Sequence, residues 1–471
     1  MLVRQVLCAA FVHRRRAARG VAFATLVAAS IGGSASAETI GGALAKAYLN
    51  NPDVNQQRAA VRASDENIPK ANAGYLPTIN GEADTGIQDF NYAPSSPFFP
   101  SGVTHPRGYG LTATENIWNG NRTINSVRQA ESGVFAAREQ LRNTEQNTLL
   151  NGVTAYMDVL RDSAILSLNR ANVDVLKEQL RQTQDRFNVG EVTKTDVAQA
   201  QASLAGAQAQ ALSAQSTLQA SMARYRQTIG DEPKNLSPVK PLDKTLPKSL
   251  SEAIAISQVE HPAIVGALHG VDSAALNVKV VEGALLPTLN LQGQLAKRYD
   301  VSDIPGNQAL TASLVAQLNV PLYDGGLTYA STRQAKEQLT QQELQADQQR
   351  DTVRAAVVSA WWLFDVSPAV IKSSKAQVDA AGVALEGVRE EAKVGQRTTL
   401  DVLNAQQALL NARVQFVSAE HDQVVASYAL LSAIGRLSTA TLGITVAQYD
   451  PKVHFDQVKD KWIGLRTPDG K

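Results

Sequence analysis

The 471-residue chain could hold two or three ordinary domains, yet only 5% of it is aromatic. That excludes a thick aromatic core and favours long, thinly packed helices. The formal charge of +1 is uneven: residues 1–37 hold five arginines and no acid, which leaves about −4 for the remainder. No clustered basic surface of the kind nucleic acid requires is present.

In chain order, the first predicted element is an export signal over residues 1–37. Arg14-Arg15-Arg16 and Arg19 precede a short apolar run, and Ala35-Ser36-Ala37 supplies small residues for cleavage. That run is too short to span a membrane as a helix, and no later stretch of 18 consecutive apolar residues replaces it. The only cysteine, Cys8, lies in the signal and follows Leu7, where a lipidation signal wants a small residue. The expected product is an exported, cysteine-free, non-lipidated chain without disulfides.

The rest reads as one unit written twice. Residues 186–230 and 391–435 align without a gap, with 14 identities in 45 positions. Val189-Gly190 matches Val394-Gly395, Asp196-Val197 matches Asp401-Val402, and Ala200-Gln201 matches Ala405-Gln406. The offset of 205 also pairs Trp118-Asn119-Gly120 with Tyr323-Asp324-Gly325. Further upstream Asn51-Pro52 matches His261-Pro262. The expected organisation is a first repeat over 38–232, a Pro/Lys-rich linker over 233–248, a second repeat over 249–436 and a tail over 437–471.

Each repeat predicts a short helical stretch ending near Tyr75 or Leu285, two strands and two long helices. The strands alternate cleanly. Ile79, Ala83 and Ile87 oppose Asn80, Glu82 and Asp84; Tyr109, Leu111, Ala113 and Ile117 oppose Thr112, Thr114 and Asn116. Leu289, Leu291, Leu295 and Tyr299 oppose Asn290, Gln292 and Gln294. Leu310, Leu314 and Leu318 oppose Thr311, Ser313 and Gln317. Runs of about ten residues suit tilted membrane strands, and Trp118, Tyr323, Tyr75 and Tyr299 suit the aromatic rims of a barrel. Four strands cannot close a barrel, so copies must pool them: two copies give eight strands, three give twelve. An ordinary amphipathic hairpin on a soluble core would show the same alternation one hairpin at a time.

The long helices are predicted from Asn121 to about Phe187 and from Gly326 to about Lys393, each about 100 Å, with Pro368 expected to kink the second. Their partners, from Thr193 and Thr398, end at Gly230 and Gly435. They carry small apolar residues at coiled-coil spacing: Val197, Ala200, Leu204, Ala207 and Val402, Ala405, Leu409, Ala412. Val189-Gly190 and Val394-Gly395 suit tight helix–helix turns. Asp196 and Asp401 fall in the next first turn, where a helix N-terminus stabilises a carboxylate. The five histidines of the mature region are scattered. No HExxH, GxSxG or phosphate loop occurs, so catalysis, metal and cofactor are not expected. An exported coiled-coil adaptor without a pore is the competing reading, but neither an anchor nor a compact β-domain is visible.

The duplicated VGxxTxxD words, Leu-Pro-Thr before the first and third strands, and Trp-Asn-Gly and Tyr-Asp-Gly-Gly after the second and fourth carry a resemblance over essentially the whole mature length. The chain resembles the non-lipidated members of the TolC family of outer-membrane efflux proteins. The resemblance implies a mainly α fold with membrane β: a homotrimer whose twelve-stranded β-barrel, four strands per chain, continues into a twelve-helix periplasmic α-barrel. It implies a duct in the outer membrane of a Gram-negative bacterium for drugs, toxic compounds or secreted proteins, as in multidrug efflux and type I secretion. The implied partners are a periplasmic adaptor, an inner-membrane transporter of ABC or RND type, and outer-membrane lipid. The turns Val189-Gly190 and Val394-Gly395 would take the adaptor, Asp196 and Arg397 would form the gate, and Asp401 would ring the constriction. Two departures stand out. Asn404 occupies the place of a second acidic ring, and Ala392 that of a gating tyrosine.

Overall fold

The computed structural model describes residues 38–94, 102–242, 245–301 and 306–470. Residues 1–37, where the sequence predicts an export signal and which include Cys8, lie outside the described residues, as do the aromatics Phe98 and Phe99. The first repeat runs α1 (Ile40–Asn50), α2 (Pro52–Asp65), α3 (Asn67–Asn72), β1 (Thr78–Thr85), β2 (Gln88–Phe90), β3 (Gly102–Thr104), β4 (Arg107–Trp118), α4 (Arg122–Asn188) and α5 (Lys194–Ile229). The second runs α6 (Leu250–Glu260), α7 (Pro262–Glu282), β5 (Thr288–Tyr299), β6 (Gln308–Asn319), α8 (Leu327–Lys393) and α9 (Thr399–Ala433), followed by α10 (Pro451–Val458) in the tail.

The matched Asn51-Pro52 and His261-Pro262 are helix starts. Asn51 Oδ1 accepts from the Asp53 amide at 2.9 Å, and His261 Nδ1 accepts from the Ala263 amide at 3.2 Å. In both, proline fills the first helical position, where no amide donor is needed. Burial, then the charge of Arg142, lowers the pKa of His261, which keeps Nδ1 an acceptor.

The four long strands form one antiparallel sheet in the order β1-β4-β5-β6, so the repeats join through β4 and β5. The register keeps like with like. Leu111 faces Gly81 on one side and Leu295 on the other, and Leu295 faces Ala312. On the opposite face Thr112 pairs with Asn80 and Gln294, and Gln294 with Ser313. A bulge in β4 leaves Ile117 over, so Trp118 rather than Ile117 takes the apolar-face position opposite Leu289. β1 also ends earlier than the alternation predicts, at Thr85 rather than beyond Ile87. The Gly86 amide still donates to Pro106 O at 2.8 Å, but proline has no amide to return and the ladder stops. The chain then forms the separate small hairpin β2–β3, which periodicity did not predict.

The apolar face is uncovered: Ile79, Leu310 and Leu314 are at least 70% exposed. β1 and β6 are open edges. Strands of 12 residues extend about 40 Å before tilt, enough to cross a bilayer.

The strand-to-helix words also resolve locally. Gly120 and Asn121 are left-handed, as are their counterparts Gly325 and Gly326. Asn119 Oδ1 and Asp324 Oδ2 accept from the amides of Thr123 and Thr328, at 3.3 and 2.8 Å. Gly120 is further constrained, because a Cβ there would lie 2.3 Å from Gly283 O. Gly120→Ala should cost about 1–3 kcal/mol for the backbone alone, with the collision added. The thermal midpoint of the detergent-solubilised protein should fall by several degrees. An unchanged midpoint would mean that the two backbones separate freely.

α4 and α8 each run 67 residues, about 100 Å. α5 packs on α4, α4 on α9, and α9 on α8, which gives an array α5-α4-α9-α8 with α5 and α8 at its edges. α8 is continuous through Pro368. That proline cannot donate to Phe364 O, and Ser367 Oγ does so instead, at 2.8 Å. Two helical stretches, 250–285 and α8, reach a mean hydropathy of 1.3 over 18 residues, although neither holds an unbroken apolar run. α7 packs against both α4 and α8, so these stretches act as packing helices.

The main core lies mid-array, where Leu149, Val153 and Tyr156 of α4 meet Leu430 and Leu431 of α9, and Leu44 of α1. Linker residues Leu236, Val239 and Leu242 pack onto it. The Tyr156 hydroxyl lies 2.7 Å from Glu38 O and 2.8 Å from Ser237 O, joining the start of repeat one to the linker. The tail folds back on α2: His454 Nδ1 lies 2.9 Å from Asp65 Oδ2, and Arg58 sits over the rings of Tyr48 and Tyr449.

Candidate functional site

The duplicated words form the two turns at the far end of the helical array. In each, the helix closes with paired backbone bonds around a left-handed glycine. Glu191 N donates to Arg186 O at 2.9 Å and Gly190 N to Phe187 O at 3.0 Å. Gln396 N donates to Glu391 O at 2.9 Å and Gly395 N to Ala392 O at 3.2 Å. Gly190 and Gly395 have φ of 80° and 79°, a backbone that disfavours side chains. Val189 and Val394, just before them, are about 70% exposed, so each turn presents a bare valine at the tip.

The next helix starts at once. Asp196 Oδ2 accepts from the Thr193 amide and hydroxyl at 2.9 and 2.6 Å, and Thr193 Oγ1 accepts from the Asp196 amide. Thr398 and Asp401 repeat this capping box, at 3.0 and 2.8 Å. Thr193 and Thr398 were legible in the sequence as the helix starts and as letters of the repeated word; their bond to the aspartate three residues on is what the structure adds. The Thr193 hydroxyl, then its amide, hold Asp196 below the usual carboxylate range. For Asp401 the Thr398 amide leads, then its hydroxyl, with Arg397 adding to the effect. Both remain charged, and each box uses only Oδ2.

The structure does not bring Asp196 and Arg397 together within the chain. Arg397 Nε instead meets Glu391 Oε2 at 2.8 Å. The first turn holds the same kind of brace with its signs exchanged: Arg186 Nε lies 3.0 Å from Glu191 Oε2. The 205-residue offset sets Arg186 against Glu391, and that swap was the available signal for Glu391. Asn404 is exposed on α9. Ala392 packs with the buried cluster of Leu385, Val402 and Leu409 between α8 and α9. Farther from the tip, Gln406 ties three helices: its Nε2 donates to Asn172 Oδ1 of α4 and its Oε1 accepts from Arg389 of α8, both at 3.1 Å.

At the other end of the molecule the four aromatics divide. Tyr75, Trp118 and Tyr323 lie where strands meet helices, and Tyr323 is 81% exposed. Tyr299 ends β5 at the opposite rim, its ring 6.5 Å from that of Tyr109. Among the described residues no group of three or more potential metal ligands occurs.

This pairing of an amphipathic open sheet with a long polar helical array has close counterparts. The chain is 43% identical to the outer membrane efflux protein BepC of Brucella suis biovar 1 over 96% of its length and 97% of that protein. It is 26% identical to the outer membrane protein TolC of Escherichia coli K12, covering 88% of this chain and 87% of that one. The crystal structure of the Campylobacter jejuni CmeC outer membrane channel superposes with a TM-score of 0.77 at 17% identity, covering 89% of both chains. The family described as outer membrane efflux protein matches residues 43–231 and 253–436, one stretch in each repeat, and the chain belongs to that family.

Proposed function

We infer that this chain is the subunit of an outer-membrane exit duct that works as a homotrimer. The observation that carries this is the open sheet: one apolar face, one polar face and two free edges, continuous with a helical array also open at both edges. Lipid cannot satisfy the free N–H and C=O groups of such edges, and in water they remain templates for pairing with another chain. Three copies of the four-stranded sheet pool twelve strands, wide enough for a channel, and three copies of the array pool twelve helices. The polar strand face then lines a pore that runs on between the helices. The efflux family to which the chain belongs supports export of drugs, toxic compounds or secreted proteins through it. A periplasmic adaptor docks at the exposed turns Val189-Gly190 and Val394-Gly395, and an inner-membrane transporter of ABC or RND type supplies the energy. The duct performs no catalysis. Recovery from outer-membrane fractions as a heat-modifiable trimer that conducts ions in planar bilayers is the expected result. Recovery as a soluble monomer would overturn the reading.

Asp401 forms the constriction. Its Oδ1 is free of the capping box, and three carboxylates around one axis attract cations. Asn404 leaves this ring without a second acidic one behind it. Asp401→Asn keeps an acceptor for the Thr398 amide and removes one charge from each copy. The reversal potential in a salt gradient should move toward zero and block by divalent cations should weaken. A reversal potential that stays in place would remove Asp401 from the constriction.

A further inference from the structure

The tail beyond α10 spends three large apolar side chains on solvent: Trp462 is 74% exposed, Ile463 73% and Leu465 fully so. The loop is nonetheless fastened at both ends. Asn72 Nδ2 donates to Lys459 O at 3.3 Å, and Arg62 Nε lies 3.6 Å from Asp469 Oδ2. Within it, Lys461 N donates to Val458 O at 2.9 Å and Lys461 Nζ reaches Arg466 O. A loop fixed this way with its apolar side chains outward marks an interaction surface.

Its attachment point identifies the partner. Asn72 precedes Tyr75 by three residues and the start of β1 by six, so the Lys459 end of the loop is fastened about 5 Å along the chain from the aromatic rim where helices give way to strands. That rim is already a belt of exposed apolar residues, with Tyr75 at 51%, Leu286 at 41% and Leu322 at 91%. The loop extends the belt. Lys461 and Arg466 flank the apolar triplet; of the nearby acids, Asp456 is held by Lys459 and Asp469 by Arg62, which leaves Asp460.

We propose that Trp462, Ile463 and Leu465 insert into the headgroup–acyl boundary of the leaflet facing the helices, with Lys461 and Arg466 against anionic phospholipid headgroups. Tryptophan at that depth places its ring in the apolar layer and its N–H among headgroups, and basic residues add attraction to an anionic surface. The proposal rests on the reading that the sheet spans a membrane. It adds a second hold on the bilayer, outside the barrel wall.

The chain has four tryptophans, which permits an internally controlled test. Variants of the full chain keep Trp118, Trp362 or Trp462 alone, with phenylalanine at the others. Each is reconstituted in phosphatidylglycerol-containing vesicles with brominated acyl chains. Trp118 reports on the membrane rim itself. Trp362 lies 35 residues along α8, about 50 Å from the strands, and should not be quenched. Trp462 should lose fluorescence to an extent comparable with Trp118, and Lys461→Glu with Arg466→Glu should reduce that loss. Quenching of Trp118 without Trp462 would overturn the anchor and leave the membrane reading intact. If neither is quenched, the membrane reading itself fails. Blue-shifted, unquenched Trp462 emission would mean that a second copy covers the loop, and would also overturn the proposal.

Discussion

Alanine at Arg397 is expected to raise the resting conductance of the reconstituted duct severalfold and to sensitise cells to large antibiotics. Arg397 is exposed and has one partner within the chain, the Glu391 carboxylate at 2.8 Å. An isolated exposed pair contributes little. In a trimer, however, each contact is made three times around one opening, and removing it from all copies multiplies its effect on a closed state. Asp196 keeps its Oδ1 free beside the same tip, where a neighbouring copy can reach it. Three substitutions separate the possible roles. If the gate joins copies through Asp196, Arg397→Ala and Asp196→Asn open the duct alike and Glu391→Ala does little. If the brace to Glu391 holds the turn in its closed shape, Glu391→Ala reproduces Arg397→Ala and Asp196→Asn does not. Unchanged single-channel conductance and open probability in Arg397→Ala would remove this residue from the gate.

The tip shows how far the sequence could be read. The helix ends were legible within a residue, because Gly190, Gly395, Gly230 and Gly435 mark them chemically and left-handed backbone has few other sources. The sheet faces were legible because alternation is local. The phase of Trp118 was not, since the bulge that moves it onto the apolar face depends on pairing with a strand about 170 residues later. The Arg397–Glu391 brace was not legible because both of its members stand where the repeats differ, Glu391 against Arg186 and Arg397 against Val192, so the first repeat holds no template for it. The tail's docking was out of reach. His454 meets Asp65 across 389 residues, and no periodicity in either segment anticipates a partner at that distance. Asn404 and Ala392 were visible as departures, and Ala392 has a packing reason: it fits between α8 and α9 against Val402.

The largest effect on stability is expected at a buried charge cluster that crosses the helical array. Asp158 and Asp162 of α4 are both nearly inaccessible, as is His421 of α9. Arg161 bridges the acids, with Nη1 2.9 Å from Asp158 Oδ1 and Nε 2.8 Å from Asp162 Oδ1. His421 Nε2 closes on Asp158 at 3.1 Å while its Nδ1 faces Asp422 at 2.9 Å, and Ser221 of α5 bonds Asp162. Arg161→Leu would leave Asp158 with His421 alone and Asp162 with the uncharged Ser221 hydroxyl, and should cost about 3–5 kcal/mol, the usual penalty for breaking a buried pair. The pH dependence follows from the same contacts. Burial alone would lower the His421 pKa, but its bonds to Asp158 and Asp422 outweigh that and raise it. Burial alone would raise Asp158, but the His421 bond and the Arg161 charge hold it below the usual carboxylate range. The contribution of His421 is therefore full below about pH 6.5 and lost as pH rises through its folded value. That of Asp158 is present above about pH 4 and lost as pH falls through its own. The thermal midpoint of the wild-type protein should peak between those limits and decline toward alkaline pH, and His421→Gln should flatten the alkaline decline. A midpoint for Arg161→Leu equal to that of the wild type across this range would mean that water reaches the acids and that the cluster does not hold the array together.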